Sequence, residues 1–141
     1  MSLRADQRDY KNAFKKHFHA YSNWQDTGSD LSRRLILVYC VECGLKYEIM
    51  KREHLIKTAD AQPDIQDDLR SHDLRRLLKR LKKAGEYTFP PIKTEYGYLI
   101  HPEEYHQFCR YCIPPDKRYI VAVQHFNNTL EAIAQWIEGG I

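Results

Sequence analysis

Residues 32–53, SRRLILVYCVECGLKYEIMKRE, decide the fold class. No Gly or Pro interrupts the run before Gly44, and Leu31, Leu35, Val38, Leu45 and Ile49 recur at helical spacing. The spacing predicts a long, mostly buried helix. Glu42 takes one slot where an apolar residue is expected, and a carboxylate on a core face is costly unless it is paired. Lys46, four residues on, lies on the same helix face and offers that partner.

Working outward, residues 6–23 place Tyr10, Phe14, His17, Phe18 and Tyr21 on one face of a first helix, an aromatic stripe read as core packing. The segment 24–29, WQDTGS, is expected to be a turn through Gly28, with Ser29 or Asp30 capping the next helix. After Glu53 the pattern decays, and 54–68 reads as a loop or frayed turn. Residues 72–83 then carry Leu74, Leu77, Leu78 and Leu81 as a narrow stripe among six cations. Ser71 is the expected N-cap and Gly85 the expected stop.

Pro90-Pro91 excludes helix in the aromatic stretch 86–101, and 94–100 suits a short hairpin through Tyr96-Gly97. Pro102 opens a helix expected to run to Cys112, burying Tyr105, Phe108, Cys109 and Cys112. Residues 118–126 fit a strand by their β-branched residues, or the start of a buried helix. Asn128 and Glu131 have capping-box spacing before a last helix that Gly139-Gly140 ends. The sum is an all-α domain spanning the 141 residues: four to five helices in a bundle, with an irregular or β-hairpin insertion before the last ones.

Composition narrows the function classes. The formal net charge of +3 permits a polyanionic partner without requiring one. No apolar run is long enough to span a bilayer, and the start has no apolar core of a secretory signal, so a cytoplasmic protein is expected. There is no Gly-rich phosphate loop, HExxH or GxSxG.

Three groups of residues carry chemistry. Cys40, Cys43, Cys109 and Cys112 form two CxxC pairs, enough thiolates for a structural zinc. Both pairs fall in predicted helices rather than on knuckle turns, so packed thiols are the stronger reading, and no cofactor is expected. His101 and His106 flank the second pair and could join a mixed Cys/His site, but surface or capping histidines are the stronger reading. Arg75, Arg76, Lys79, Arg80 and Lys83 make one basic helix that either holds phosphates or is a solvated face. Arg118 and His125 form R-x6-H; in a helix the two return to one face. There a histidine can move the proton of a ribose 2′-OH while an arginine balances charge on the scissile phosphate.

Together these features resemble the HEPN superfamily of small helical domains. The resemblance rests on Glu42 followed by Leu45-Lys46 in the long helix, on His72, Leu74 and Leu77 in SHDLRRLLKRL, and on Arg118-Tyr119 before the closing helix NNTLEAIAQWI. It implies a helical bundle that dimerises and associates with RNA or nucleotides. Catalytic members are metal-independent ribonucleases of toxin–antitoxin or antiviral defence systems, with an R-x4–6-H motif that Arg118 and His125 would supply. Tyr119 departs from the polar residue common after that Arg. Other members are non-catalytic subunits that dock on an antitoxin or a defence complex, for which 86–101 is the candidate docking insertion. A zinc-stabilised interaction module is the third reading.

Overall fold

The computed structural model describes residues 4–25 and 30–141. Gly28 and Ser29, expected in the turn and cap before the long helix, lie outside the described residues. The architecture is helical, with six α-helices and a two-stranded hairpin among the described residues. Helix α1 is Gln7–Ser22, α2 Asp30–Arg52, α3 Pro63–Leu69, α4 Leu74–Arg80, α5 Tyr105–Arg110 and α6 Ile120–Gly139; strands β1 and β2 are Ile92–Lys93 and Leu99–Ile100.

Helix α2 is the axis, packed against α1, α4, α5 and α6. Leu37, Val41, Leu45, Ile49 and Met50 are fully buried along it. Gly44 is where three helices come closest. A Cβ there would stand 2.7 Å from the Ile137 terminal methyl of α6 and 2.7 Å from the Phe14 ring of α1. Below this junction Tyr105 stacks on Phe126 with ring centroids 3.8 Å apart, and Phe89 packs on the same Phe126 at 4.4 Å. The aromatic insertion is thereby tied to the bundle.

Helix α1 follows its predicted stripe, with Phe14 and Tyr21 buried. Asp9 accepts the Asp6 backbone N–H at 2.9 Å, while Asp6 accepts that of Thr58 at 2.9 Å, fastening α1 to the 3-10 turn Thr58–Asp60. The stretch expected to be a loop therefore holds this turn and α3. Pro63 occupies the first turn of α3, where its missing N–H costs nothing. The helix shows little apolar pattern because its third inward residue is Asp68, not a hydrophobe.

Helix α4 is shorter than the sequence implies. Asp73, not Ser71, caps it by accepting the Arg75 N–H at 3.0 Å; Ser71 Oγ instead accepts the Asp73 N–H at 3.0 Å. It ends before Gly85, through Lys82 in the left-handed region at φ 58°.

The hairpin forms as expected, with Ile92 opposite Ile100 and Lys93 opposite Leu99. Gly97 N–H donates to the Thr94 carbonyl at 2.9 Å, and Thr94 N–H to that of Tyr98 at 2.9 Å. Gly97 takes φ 83°, a conformation this three-residue loop requires and only glycine adopts readily. Pro102 opens a 3-10 turn, Pro102–Glu104, before α5. The helix stops at Arg110, so Cys112 is exposed at φ 50° rather than packed inside.

Residues 120–126 are helical, not extended: α6 follows directly on the 3-10 turn Lys117–Tyr119 and runs unbroken to Gly139. Asn128 is accordingly inside the helix and caps nothing. Glu131 is spent otherwise, accepting the Tyr21 hydroxyl at 2.6 Å and the Asn127 amide at 3.0 Å. No helix among the described residues is long and apolar enough to cross a membrane.

Candidate functional site

Of the five cations proposed for nucleic acid, three are held by carboxylates. Asp68 on α3 is nearly buried, and each of its oxygens takes one arginine: Arg76 Nε at 2.6 Å and Arg80 Nε at 2.6 Å. Arg80 also reaches Asp64 at 3.1 Å. That contact holds the Asp64 carboxyl below its ordinary value. Lys83 pairs with Glu86 at 3.0 Å and lies over the Trp136 ring at 5.3 Å. The side chains of Arg75 and Lys79 have no carboxylate partner among the described residues; the Arg75 guanidinium donates to the Phe89 carbonyl, at 3.4 Å.

These two free cations, with Arg76, line one side of an open groove of about 690 Å³. Asp73 and a wall of Ala84, Tyr87, Thr88 and the buried Phe89 complete its lining. That wall is anchored to α6. Thr129 Oγ donates to the Thr88 carbonyl at 3.0 Å, with the His125 carbonyl 3.2 Å away. The groove thus abuts α6 one turn beyond His125.

Arg118 lies in the 3-10 turn that leads into α6, its side chain 80% exposed. Asp116 grips it twice, through Nη2 at 2.9 Å and Nε at 3.2 Å. The guanidinium in turn holds the Asp116 carboxyl down at about 2. His125 is exposed, and its ring makes no hydrogen bond with any described residue. Arg118 and His125 therefore share one continuous helical segment, about 10 Å apart along its axis at the usual rise. Around them Ile120 and Val121 are exposed at 55% and 79%.

The cysteines are dispersed. Cys40 is buried with Sγ 3.6 Å from the Phe14 carbonyl, Cys43 is half-buried, Cys109 buried and Cys112 exposed. Burial pushes the Cys40 thiol up, Cys43 up to about 11 and Cys109 up to about 12, so these sulfurs keep their protons at neutral pH. Among the described residues no three His, Cys, Asp or Glu stand together at metal-binding distances. His101 lies at the head of the 3-10 turn before α5, its N–H bound to Glu104 at 3.2 Å.

One cluster escaped sequence reasoning as a site. Glu42 projects from α2 with only 13% of its side chain exposed, and its two oxygens take Lys46 at 3.3 Å and His72 Nδ1 at 2.9 Å. His72 in turn contacts His106 of α5, ring centroids 5.1 Å apart. Glu42, Lys46 and His72 were all visible in the sequence, but as marks of a family pattern. His106 was visible only as a neighbour of the second CxxC pair. The signal that joins them is helix packing, 30 residues apart for Glu42 and His72.

Burial lowers the His106 imidazole below its ordinary value of 6.5, with His72 and Arg110 adding to the shift and Glu42 opposing it. His17 is lowered by burial alone. An imidazole lowered by folding binds fewer protons in the native than in the unfolded chain. Its contribution to stability is complete above about pH 6.5 and is lost as pH falls through the folded value. Melting temperature is expected to drop between about pH 7 and about pH 5, less steeply in His106→Gln. An identical slope in the variant would exclude His106 as a source.

Comparison of the chain with protein-family models, curated proteins and solved structures finds no match.

Proposed function

We propose that this is a HEPN-like domain that holds RNA or a nucleotide, with phosphates on Arg75 and Lys79 and a base against the half-buried Tyr87 ring. The observation that carries the reading is the groove itself. It sets two cations that no carboxylate pairs beside the Tyr87 ring, with Asp73 at the same lining, a combination that suits a charged backbone with a flat base. Its anchorage to α6 beside His125 supports metal-independent cleavage at Arg118 and His125, with His125 transferring a proton and Arg118 balancing phosphate charge.

The test uses a labelled single-stranded RNA in EDTA. Arg75→Ala/Lys79→Ala is expected to weaken binding and to reduce the slope of log affinity against log salt by about 1.4, for two phosphates. Arg118→Ala/His125→Ala is expected to bind as wild type and to lose cleavage by about 100-fold or more. Binding indifferent to the first pair would sink the RNA reading. Equal cleavage by the second variant would remove Arg118 and His125 from catalysis.

A second reading, a non-catalytic subunit that docks on a protein partner, draws on two observations. Asp116 already occupies Arg118, and Tyr96, Tyr98, Ile120 and Val121 expose large apolar side chains on the hairpin and the start of α6. Under this reading the protein binds RNA weakly or not at all, and wild type in EDTA shows no cleavage. Homodimerisation, which the resemblance also implies, is read by light scattering on the same samples.

A further inference from the structure

The groove on the α4 cations does not end at Arg76. Asp73 and Arg76 also line an adjoining groove of about 550 Å³, whose other walls are Ser71, His72, Glu103, Glu104, His106 and Gln107. The two grooves thus meet at Asp73 and Arg76, by the N-terminal end of α4. The second groove contains two imidazoles in contact, one backed by a nearly buried carboxylate.

We propose that His72 and His106 form an acid–base centre acting on a phosphodiester that carries a neighbouring 2′-hydroxyl, with Glu42 as the positioning residue behind His72. The substrate class rests on the RNA reading above; the histidine geometry does not. Glu42 Oε1 lies 2.9 Å from His72 Nδ1, so Nδ1 is the donor and Nε2 is left as the working edge. Lys46 holds the other oxygen of Glu42 at 3.3 Å, and α2 fixes both residues. The carboxylate therefore cannot swing away from the imidazole it supports. A ring anchored at one nitrogen by a buried carboxylate is oriented and can carry a proton at the other.

His106 has the opposite setting. No carboxylate hydrogen-bonds its ring among the described residues, and burial favours its neutral form. Two imidazoles in contact in unlike settings, one hydrogen-bonded to a carboxylate and one without such a partner, are the arrangement from which acid and base roles are assigned. His106 is the base and His72, on Glu42, the acid. Neutral His106 takes the proton of the 2′-hydroxyl, the O2′–P bond forms, the P–O5′ bond breaks, and protonated His72 gives its proton to O5′. The products are a 2′,3′-cyclic phosphate and a 5′-hydroxyl. No oxidant, metal or further reactant enters the balance.

The experiment measures binding by fluorescence anisotropy and cleavage in EDTA on one short RNA, beside the same strand with 2′-deoxyribose at the cleaved position. The proteins are wild type, His72→Gln, His106→Gln, the double variant, and Arg118→Ala/His125→Ala with and without the histidine pair changed. Circular dichroism melting confirms that each is folded. The double histidine variant is expected to bind within about twofold of wild type and, in the Arg118→Ala/His125→Ala background, to cleave about 100-fold more slowly than that background alone. The same background is expected to show a bell-shaped pH–rate profile, with the fall on acidification absent once His106→Gln is added, a change that a purely structural role would not produce. Cleavage surviving in Arg118→Ala/His125→Ala should vanish when the histidine pair is also changed. A folded histidine-pair variant that leaves cleavage in the Arg118→Ala/His125→Ala background unaltered, or a deoxy strand cut as fast as RNA, overturns the centre and leaves the RNA reading standing. Wild type that binds RNA and never cuts it overturns the centre together with cleavage at Arg118 and His125, and leaves RNA binding standing. Wild type that binds no RNA overturns both.

Discussion

Gly44→Leu is expected to lower stability by about 3 kcal/mol or more, with a fall in melting temperature of roughly 10 °C. Gly is a poor helix former, about 1 kcal/mol worse than Ala at an interior position. Its presence in the middle of α2 therefore needs a reason, and the reason is space. A Cβ at this position already meets Phe14 and Ile137 at 2.7 Å, closer than carbon atoms pack. Leu adds three more carbons at a place where α1, α2 and α6 all touch, so the helices must separate or the fully buried Phe14 and Ile137 must leave their wells. Gly44→Ala is a milder case. Its gain in helix propensity offsets the shift of a methyl and a ring edge, so the expected change lies within about 1 kcal/mol. Thermal melts of the two variants check the claim, and a Leu variant as stable as wild type would show that the three helices do not meet there.

That junction also shows what the sequence could and could not reveal. The apolar periodicity of α1 and α2 gave both helices, because their inward residues are hydrophobes at the expected spacing. Helix α3 did not appear, since an ion-paired Asp68 takes the place of an inward apolar residue. Helix α6 was hidden over its first turns, where β-branched residues serve strand and helix alike and context alone decides. Capping-box spacing at Asn128 misled for a related reason: the pattern says that a helix can start there, not that one has already begun.

The site was legible as charge and not as geometry. Six cations near α4 are plain in the sequence, yet which of them face water depends on where α3 packs. Two carboxylates from that unrecognised helix engage Arg76 and Arg80, Glu86 engages Lys83, and Arg75, Lys79 and Lys82 remain without acidic partners among the described residues. Glu42 was recognised as an oddity on a core face, and Lys46 as its companion. The third partner, His72, and through it His106, could not be read from spacing at all, because the contacts run between α2, the start of α4 and α5.

Asp68→Ala turns this electrostatic arrangement into a measurement on stability and binding at once. Asp68 is nearly buried, and each of its oxygens accepts a charged N–H at 2.6 Å. Hydrogen bonds to charged groups contribute roughly 1.5–3 kcal/mol each in favourable settings. Arg76 is about half exposed and can regain water, so its share is discounted; Arg80, at 28% exposure, regains less. A net loss of about 3 kcal/mol is expected. Binding should move the other way. With Asp68 gone, Arg76 is free on the rim common to both grooves and Arg80 keeps only the exposed Asp64. If RNA lies along this face, its affinity at low salt should rise, and the salt dependence should steepen by about 0.7 for each phosphate newly engaged. Asp68→Asn, which preserves shape and one acceptor while removing the charge, should show most of the gain in binding with less of the loss in stability. Should stability fall while RNA affinity and its salt slope stay unchanged in both variants, the α4 cations serve the fold alone and the strand must lie elsewhere.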